Sequence, residues 1–231
     1  MSIKTSKSSP GRSGRPRTKQ LNAKDSLKKT VTASLRDEVI AFRKDRILMV
    51  ACDAIYEHGY HDCTVDMIAE KLSGSKAIVY YYFPDKHSIL YGIYCRALDE
   101  ALAMIKAAAA ENDRPSIKLA SIARSYAGWV IDNTRLVGVY WREIQSLTNE
   151  ARAAVFAQQK LIDDIVAQVI RDGVNQETFH VSDVQTTARA INGMITFTYT
   201  WWRGDKRLTR ADTAEHYAQM ALRLAGASEL K

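Results

Sequence analysis

From about Arg43 onward, apolar residues recur every three or four positions, the period that gives a helix one buried face. Ile47, Ala51, Ala54 and Ile55 form the first such stripe, and Gly59 is placed to stop that helix in a left-handed conformation. Thr64 is an N-cap residue for "TVDMIAEKL", a short helix burying Val65, Ile68, Ala69 and Leu72. "SGS" (Ser73–Ser75) then breaks the pattern, with Gly74 suited to a sharp turn and Ser75 to capping a third helix, "KAIVYYYF". Pro84 ends that helix, and Lys86 begins a longer one reaching about Ala110. Two short helices joined by a tight turn and backed by a longer one specify a helix-turn-helix.

Helical segments with short breaks continue to the end, and nothing in the pattern resembles a sheet. "PSIKLASIARSYAGWVIDN" opens on a first-turn proline and points Ile117, Ala120, Ile122 or Ala123, Tyr126, and Val130 or Trp129 inward. "TRLVGVYWREIQSLT" follows. A long helix then runs from about Glu150 to Arg171 and stops at Gly173. Another runs from Asp183, behind the cap Ser182, to about Trp202. After the loop "RGDKRLT" a last amphipathic helix ends at Gly226. The expected architecture is all-α. It comprises a basic arm over residues 1–40, disordered at least through residue 30, a three-helix DNA-binding domain over 41–88, and a larger helical domain over 89–231.

Charge changes this picture at one end only. The net charge is +7, yet residues 1–46 carry 13 Lys/Arg against 4 Asp/Glu, while the remaining 185 residues carry 20 against 22. The excess positive charge is therefore confined to the arm, which is drawn to polyanions. Within it, "GRSGRPR" (Gly11–Arg17) resembles the core of an AT-hook, with Arg15 and Arg17 slim enough to enter a narrow, electronegative minor groove. Cys52, Cys63 and Cys95 are too few and too scattered for a disulfide framework, which fits a reducing cytoplasm. No apolar run is long enough to cross a membrane. His58, His61 and Cys63 share no fixed face, so no metal site is expected, and neither a phosphate loop nor a nucleophile–base pair suggests an enzyme or a cofactor.

The aromatic run "YYYF" is the most informative stretch. Successive helical residues lie about 100° apart, so its rings cannot share one face. Val79 and Phe83 form the inward pair against Ile68 and Leu72, leaving Tyr80 and Tyr81 outward with Lys76 one turn before Tyr80. Such tyrosines offer a ring to a thymine methyl and a hydroxyl to a phosphate oxygen. Thr64 and Ser75 present helix-start N–H groups to phosphates, Ala77 comes close to base edges, and Lys86 adds a point charge beside the same surface.

Thr64–Leu90, "TVDMIAEKLSGSKAIVYYYFPDKHSIL", resembles the signature segment of the TetR family of bacterial transcription regulators through Thr64, Ile68, Ala69, Ser75, Lys76, Tyr80, Tyr81, Phe83, Lys86 and Leu90. The chain departs from the family pattern at Ser73, Gly74, Ala77, Ile78 and Tyr82, which implies an operator preference of its own. The resemblance implies a homodimer that binds double-stranded operator DNA and is released by a small effector. It also implies a four-helix dimer bundle. Residues 150–172 and 183–202 are candidates, although their apolar sets serve a subunit core equally well. The stretch Asp183–Gly226 resembles family members that regulate fatty-acid and sterol degradation, some of them responsive to acyl-CoA. An effector cavity would draw on Tyr126, Trp129, Tyr140, Trp141 and Phe197, with Glu143 beside the Tyr140–Trp141 pair as an orienting group.

Overall fold

Leu, Lys, Ala and Arg dominate the chain after Pro16, and no glycine or proline interrupts it before Gly59. That run of good helix formers makes one helix of 41 residues, α1 (Thr18–His58). The computed structural model describes the backbone of residues 18–111, 114–204 and 208–227, with side chains from residue 35 on. Helix therefore begins well inside the segment expected to be disordered through residue 30, whereas Arg15 and Arg17 lie outside the described residues. The chain divides into two units, residues 1–45 and 46–231. In the first, Leu35, Val39 and Phe42 are exposed, Phe42 at 68%.

In the second unit, Ile47, Ala51, Ala54 and Ile55 are buried as their spacing requires. Gly59, at φ +79°, ends α1. Thr64 caps α2 (Val65–Lys71), its hydroxyl accepting the Met67 N–H at 3.3 Å. In the following turn, the left-handed residue is Ser73 at φ +52°, not Gly74. Ser73 N–H then donates to Glu70 and Gly74 N–H to Ala69, closing the end of α2. A left-handed non-glycine residue costs about 1–2 kcal/mol, part of which glycine would give back as unfolded-state entropy. Ser73→Gly is therefore expected to stabilise the protein by about 0.5–1 kcal/mol and to raise its melting temperature by about 1–4 °C. A melting temperature equal to or below the parent's would show that the turn is not strained.

Ser75 stands at the N-cap of α3 (Lys76–Tyr82) without a side-chain capping bond. The stronger device is at the next start, where Asp85 and Ser88 form a reciprocal capping box on α4 (Lys86–Ala110). The body continues through α5 (Pro115–Asp132), α6 (Thr134–Arg142), a 3-10 turn at Ile144–Ser146, and α7 (Asn149–Asn175). It closes with α8 (Val184–Thr196), α9 (Thr198–Trp201) and α10 (Arg210–Leu224). No strand occurs among the described residues. One hydrophobic core runs from Ile47 to Ala225, with α5 packed among α4, α7, α8 and α10.

Several expected positions shift. Ile117 is 41% exposed because the inward stripe of α5 is Leu119, Ile122, Ala123, Tyr126 and Val130. Asp183, not Ser182, caps α8 by accepting the Thr186 N–H at 2.7 Å. The segment to Trp202 is divided at Phe197 into α8 and α9. Gly173 does not stop α7 but lies inside it, buried, where a Cβ would stand 2.1 Å from the Phe179 ring. The apolar sets of α7 and α8 (Val155, Ile162, Val166, Val169; Ala188, Ile191, Ile195) are buried in the subunit's own core.

Candidate DNA-reading surface and effector cavity

Helix α3 has one buried residue, Val79, and with Phe83 just beyond its end this anchors it to the core. Tyr82 is half-buried against that core, and the remaining positions face water. Tyr80 is 43% and Tyr81 77% exposed, with Ile78, Ala77 and Lys76 exposed around them. Tyr81 meets Tyr82 edge to face at 4.9 Å, which limits its rotamers. Lys76 donates to Asp66 of α2 at 2.8 Å, and this hydrogen bond holds its ammonium pKa above the ordinary value. An exposed pair of this kind is worth little in water, so the lysine is readily exchanged onto a phosphate. Thr64 is exposed at the start of α2.

Lys86 has a different place from the one expected. Its ammonium donates to the carbonyls of Tyr60 at 2.7 Å, His61 at 3.1 Å and Cys63 at 3.0 Å, and it lies 4.4 Å from the centre of the Tyr60 ring. Three donors meet three acceptors, so the side chain closes the α1–α2 link and its hydrogen-bonding capacity is taken up there, while its positive charge remains. Spacing alone placed it beside the surface. It gave no sign of the carbonyls left behind when α1 ends at Gly59.

In the body, α4, α5, α6, α7 and α8 line a partly open cavity of about 280 Å³. Tyr126, Trp129, Tyr140 and Trp141 line it, as expected, together with Leu98 and Ile162. Tyr126 and Trp129 stack at 6.2 Å, and Tyr140 packs at 4.8 Å against Tyr94, whose hydroxyl donates to the Tyr140 carbonyl at 2.6 Å. Glu143 and Phe197 are not in this wall. Glu143 follows the end of α6, where its carboxylate accepts from Ser146 at 3.3 Å. Phe197 is 63% exposed because the α8–α9 break turns its ring outward.

Sequence reasoning missed the polar part of the wall: Gln159 and Asp163 on α7, and Arg189, Asn192 and Thr196 on α8. Tyr140 donates to Gln159 at 2.7 Å, and Asn192 donates to Asp163 at 2.6 Å. Burial raises the hydroxyl pKa of Tyr126, with Tyr140 and Asp163 adding to it; burial and then Asp163 do the same for Tyr140. Both phenols therefore stay protonated and act as hydrogen-bonding groups. The thiols are equally quiet. Burial, helped by Asp53, pushes Cys52 up to about 12, and burial also raises Cys63 and Cys95. Among the described residues no group of three or more His, Cys, Asp or Glu is arranged to hold a metal. Among them, too, no helix is long and apolar enough to cross a membrane.

Comparison with known proteins finds matches over both the first helices and the body. Residues 47–91 match the family described as bacterial regulatory proteins, tetR family, and residues 112–225 match the tetracyclin repressor-like, C-terminal domain. Over 76 residues the chain is 33% identical to the HTH-type transcriptional regulator RutR of Escherichia coli K12, covering 33% of this chain and only 36% of that relative's length. Over 161 residues it is 24% identical to the fatty acid metabolism regulator protein of Bacillus subtilis 168, covering 68% of this chain and 81% of that one. A solved tetR-family regulatory protein from Rhodococcus RHA1 superposes with a TM-score of 0.76 at 26% identity, covering 81% of this chain and 98% of the other. The matched families are regulators that bind DNA, not enzymes. With its first helices and its helical body answering to the same family, the chain belongs to the TetR family of transcriptional regulators.

Proposed function

We propose that the protein is a ligand-responsive repressor that binds a palindromic operator as a homodimer and lets go when a hydrophobic small molecule fills the body cavity. The observation that carries this reading is the pairing, in one chain, of an outward tyrosine surface on α3 with a partly open aromatic cavity in the body. The division of labour follows the expected domains, with residues 41–88 on DNA and 89–231 on effector and partner. Two-fold symmetry requires matching half-sites, one recognition helix in each. Tyr80, Tyr81 and Ala77 face base edges, while Thr64, Ser75 and Lys76 face phosphates. Arg15 and Arg17 extend the contact into a minor groove. Self-association draws on exposed apolar residues, among them Phe156 and Leu161 on α7 and Phe197, Trp201, Met220 and Leu224 towards the end of the chain. The site of action is the cytoplasm, where the operator is.

An acyl-type effector fits the apolar lining, and the Bacillus relative is named for fatty acid metabolism. A cavity of about 280 Å³ takes an acyl chain but not coenzyme A, so a thioester would leave its nucleotide outside. The test is an electrophoretic shift on operator selected from random DNA. Tyr80→Ala/Tyr81→Ala is expected to weaken binding by about ten- to a hundred-fold, since each good base contact is worth about 1–3 kcal/mol. Removing residues 1–17 should flatten the salt dependence in the same assay. Parental binding by the double variant would displace α3 as the reading helix.

A further inference from the structure

Asn192 stands in the cavity wall only 8% exposed, and its Oδ1 accepts no hydrogen bond. Its orientation is determined by its neighbour. Nδ2 lies 2.6 Å from Asp163 Oδ1, and a carboxylate only accepts, so the amide cannot be turned over without setting oxygen against oxygen. Three of the polar groups nearby already give their protons to the protein. Trp129 donates to Glu100 at 3.2 Å, Tyr140 to Gln159 at 2.7 Å, and Thr196 to the backbone carbonyl of Asn192 at 2.9 Å. What the Asn192–Asp163 corner holds out to an occupant is acceptor capacity, from the Asn192 oxygen, the Asp163 carboxylate and the lone pairs of the Tyr140 hydroxyl, while Tyr126, Gln159 and Arg189 are the donors of the wall.

We infer that the cavity selects an apolar molecule bearing a neutral hydrogen-bond donor, an amide N–H or an alcohol O–H, which pairs with Asn192 Oδ1 and Asp163, and that it discriminates against a free carboxylate. This rests on the cavity being the effector site and adds the ligand's chemistry to it. A carboxylate brings oxygens and negative charge to a place that already holds both. A donor satisfies an acceptor that is otherwise buried unpaired, a defect that is costly in an apolar surrounding. The donor has two chemical sources, a free amide or alcohol and the pantetheine amide a few atoms beyond the sulfur of a thioester. Arg189, on the exposed side of the wall, is the rival anchor, and it would favour an anion.

A partly open cavity of about 280 Å³ has room for a medium-length chain, which recommends eight-carbon probes. Isothermal titration of the full-length protein, without DNA, against octanamide, octanoate and octanoyl-CoA tests the idea. Octanamide and octanoyl-CoA are both expected to bind at least about ten-fold more tightly than octanoate. The tighter of the two identifies the source of the donor. Asn192→Leu should bring the octanamide-to-octanoate ratio within about two-fold, and Asp163→Asn, which is nearly isosteric, should narrow it as well by freeing the amide to turn. Octanoate binding as tightly as octanamide would place the anchor at Arg189 and overturn the inference. A ratio unchanged in both folded variants, or no binding by any probe, would overturn it too. Titrating the same probes into the protein–operator complex separates the two claims: donor-selective binding that leaves operator bound refutes the repressor reading and leaves this one standing.

Discussion

Lys86→Met is expected to destabilise the protein by about 2–4 kcal/mol, because charge-assisted hydrogen bonds contribute about 1.5–3 kcal/mol each when well buried and less when partly wet. The lysine gathers the carbonyls of Tyr60, His61 and Cys63 in the link that follows α1. It also lies over the Tyr60 ring, which adds about 0.5–1 kcal/mol. Methionine keeps the apolar stem and leaves three acceptors without their donor. Urea denaturation should therefore show a lower midpoint with an unchanged slope. Operator affinity should fall with the ordering of α2 and α3, and its salt dependence should keep the parental slope. A phosphate contact predicts the reverse, a parental midpoint with a flatter salt slope. That pattern would return Lys86 to the DNA surface.

Gly173→Ala is expected to destabilise by about 3 kcal/mol, against the sign that helix propensity alone gives. In an unencumbered helix interior the same change gains about 1 kcal/mol. Here the new methyl would stand 2.1 Å from Cδ2 of Phe179, a ring only 1% exposed. The ring must leave its place, and displacing a core phenylalanine costs about 3–5 kcal/mol when it is lost altogether. Shortening the ring's side should recover part of the loss, so Gly173→Ala/Phe179→Leu ought to be more stable than the sum of the single changes by at least about 1 kcal/mol. Thermal denaturation of the four proteins measures this coupling. Additive behaviour, or a stabilised Gly173→Ala, would mean that the close approach does not govern the position.

Gly173 also illustrates what a sequence conceals. A glycine near the end of an apolar run reads as a helix stop, and Gly59 is one, with its left-handed φ of +79°. Gly173 has no such backbone, and only the return of Phe179 onto α7 explains it. The DNA-binding part was legible because its elements are local: a cap at Thr64, a break at Ser73–Ser75, and an inward pair of Val79 in a short helix and Phe83 just past its end. The aromatic wall was legible in four of its six expected members, since large rings in a helical body have few other places to go. Phe197 failed because the break between α8 and α9 turns it out, and Glu143 because it sits past the end of α6. Asp163 and Asn192 were invisible for a physical reason. A polar residue inside an amphipathic pattern looks like solvent-facing surface until a partner on another helix, here 29 positions away, accounts for its burial.

The raised thiols have a practical and a biological side. Thiolate is the form that attacks peroxides, disulfides and alkylating reagents, and Cys52, Cys63 and Cys95 are all held towards the neutral thiol by burial. The chain therefore presents little nucleophilic sulfur at neutral pH, and oxidants and reductants in its surroundings have no ready handle on it. The same silence makes it a clean background for labelling. A single cysteine introduced at the 77%-exposed position of Tyr81 would be the most reactive thiol in the molecule, so a maleimide dye would report on the face of α3 with the native sulfurs left in place.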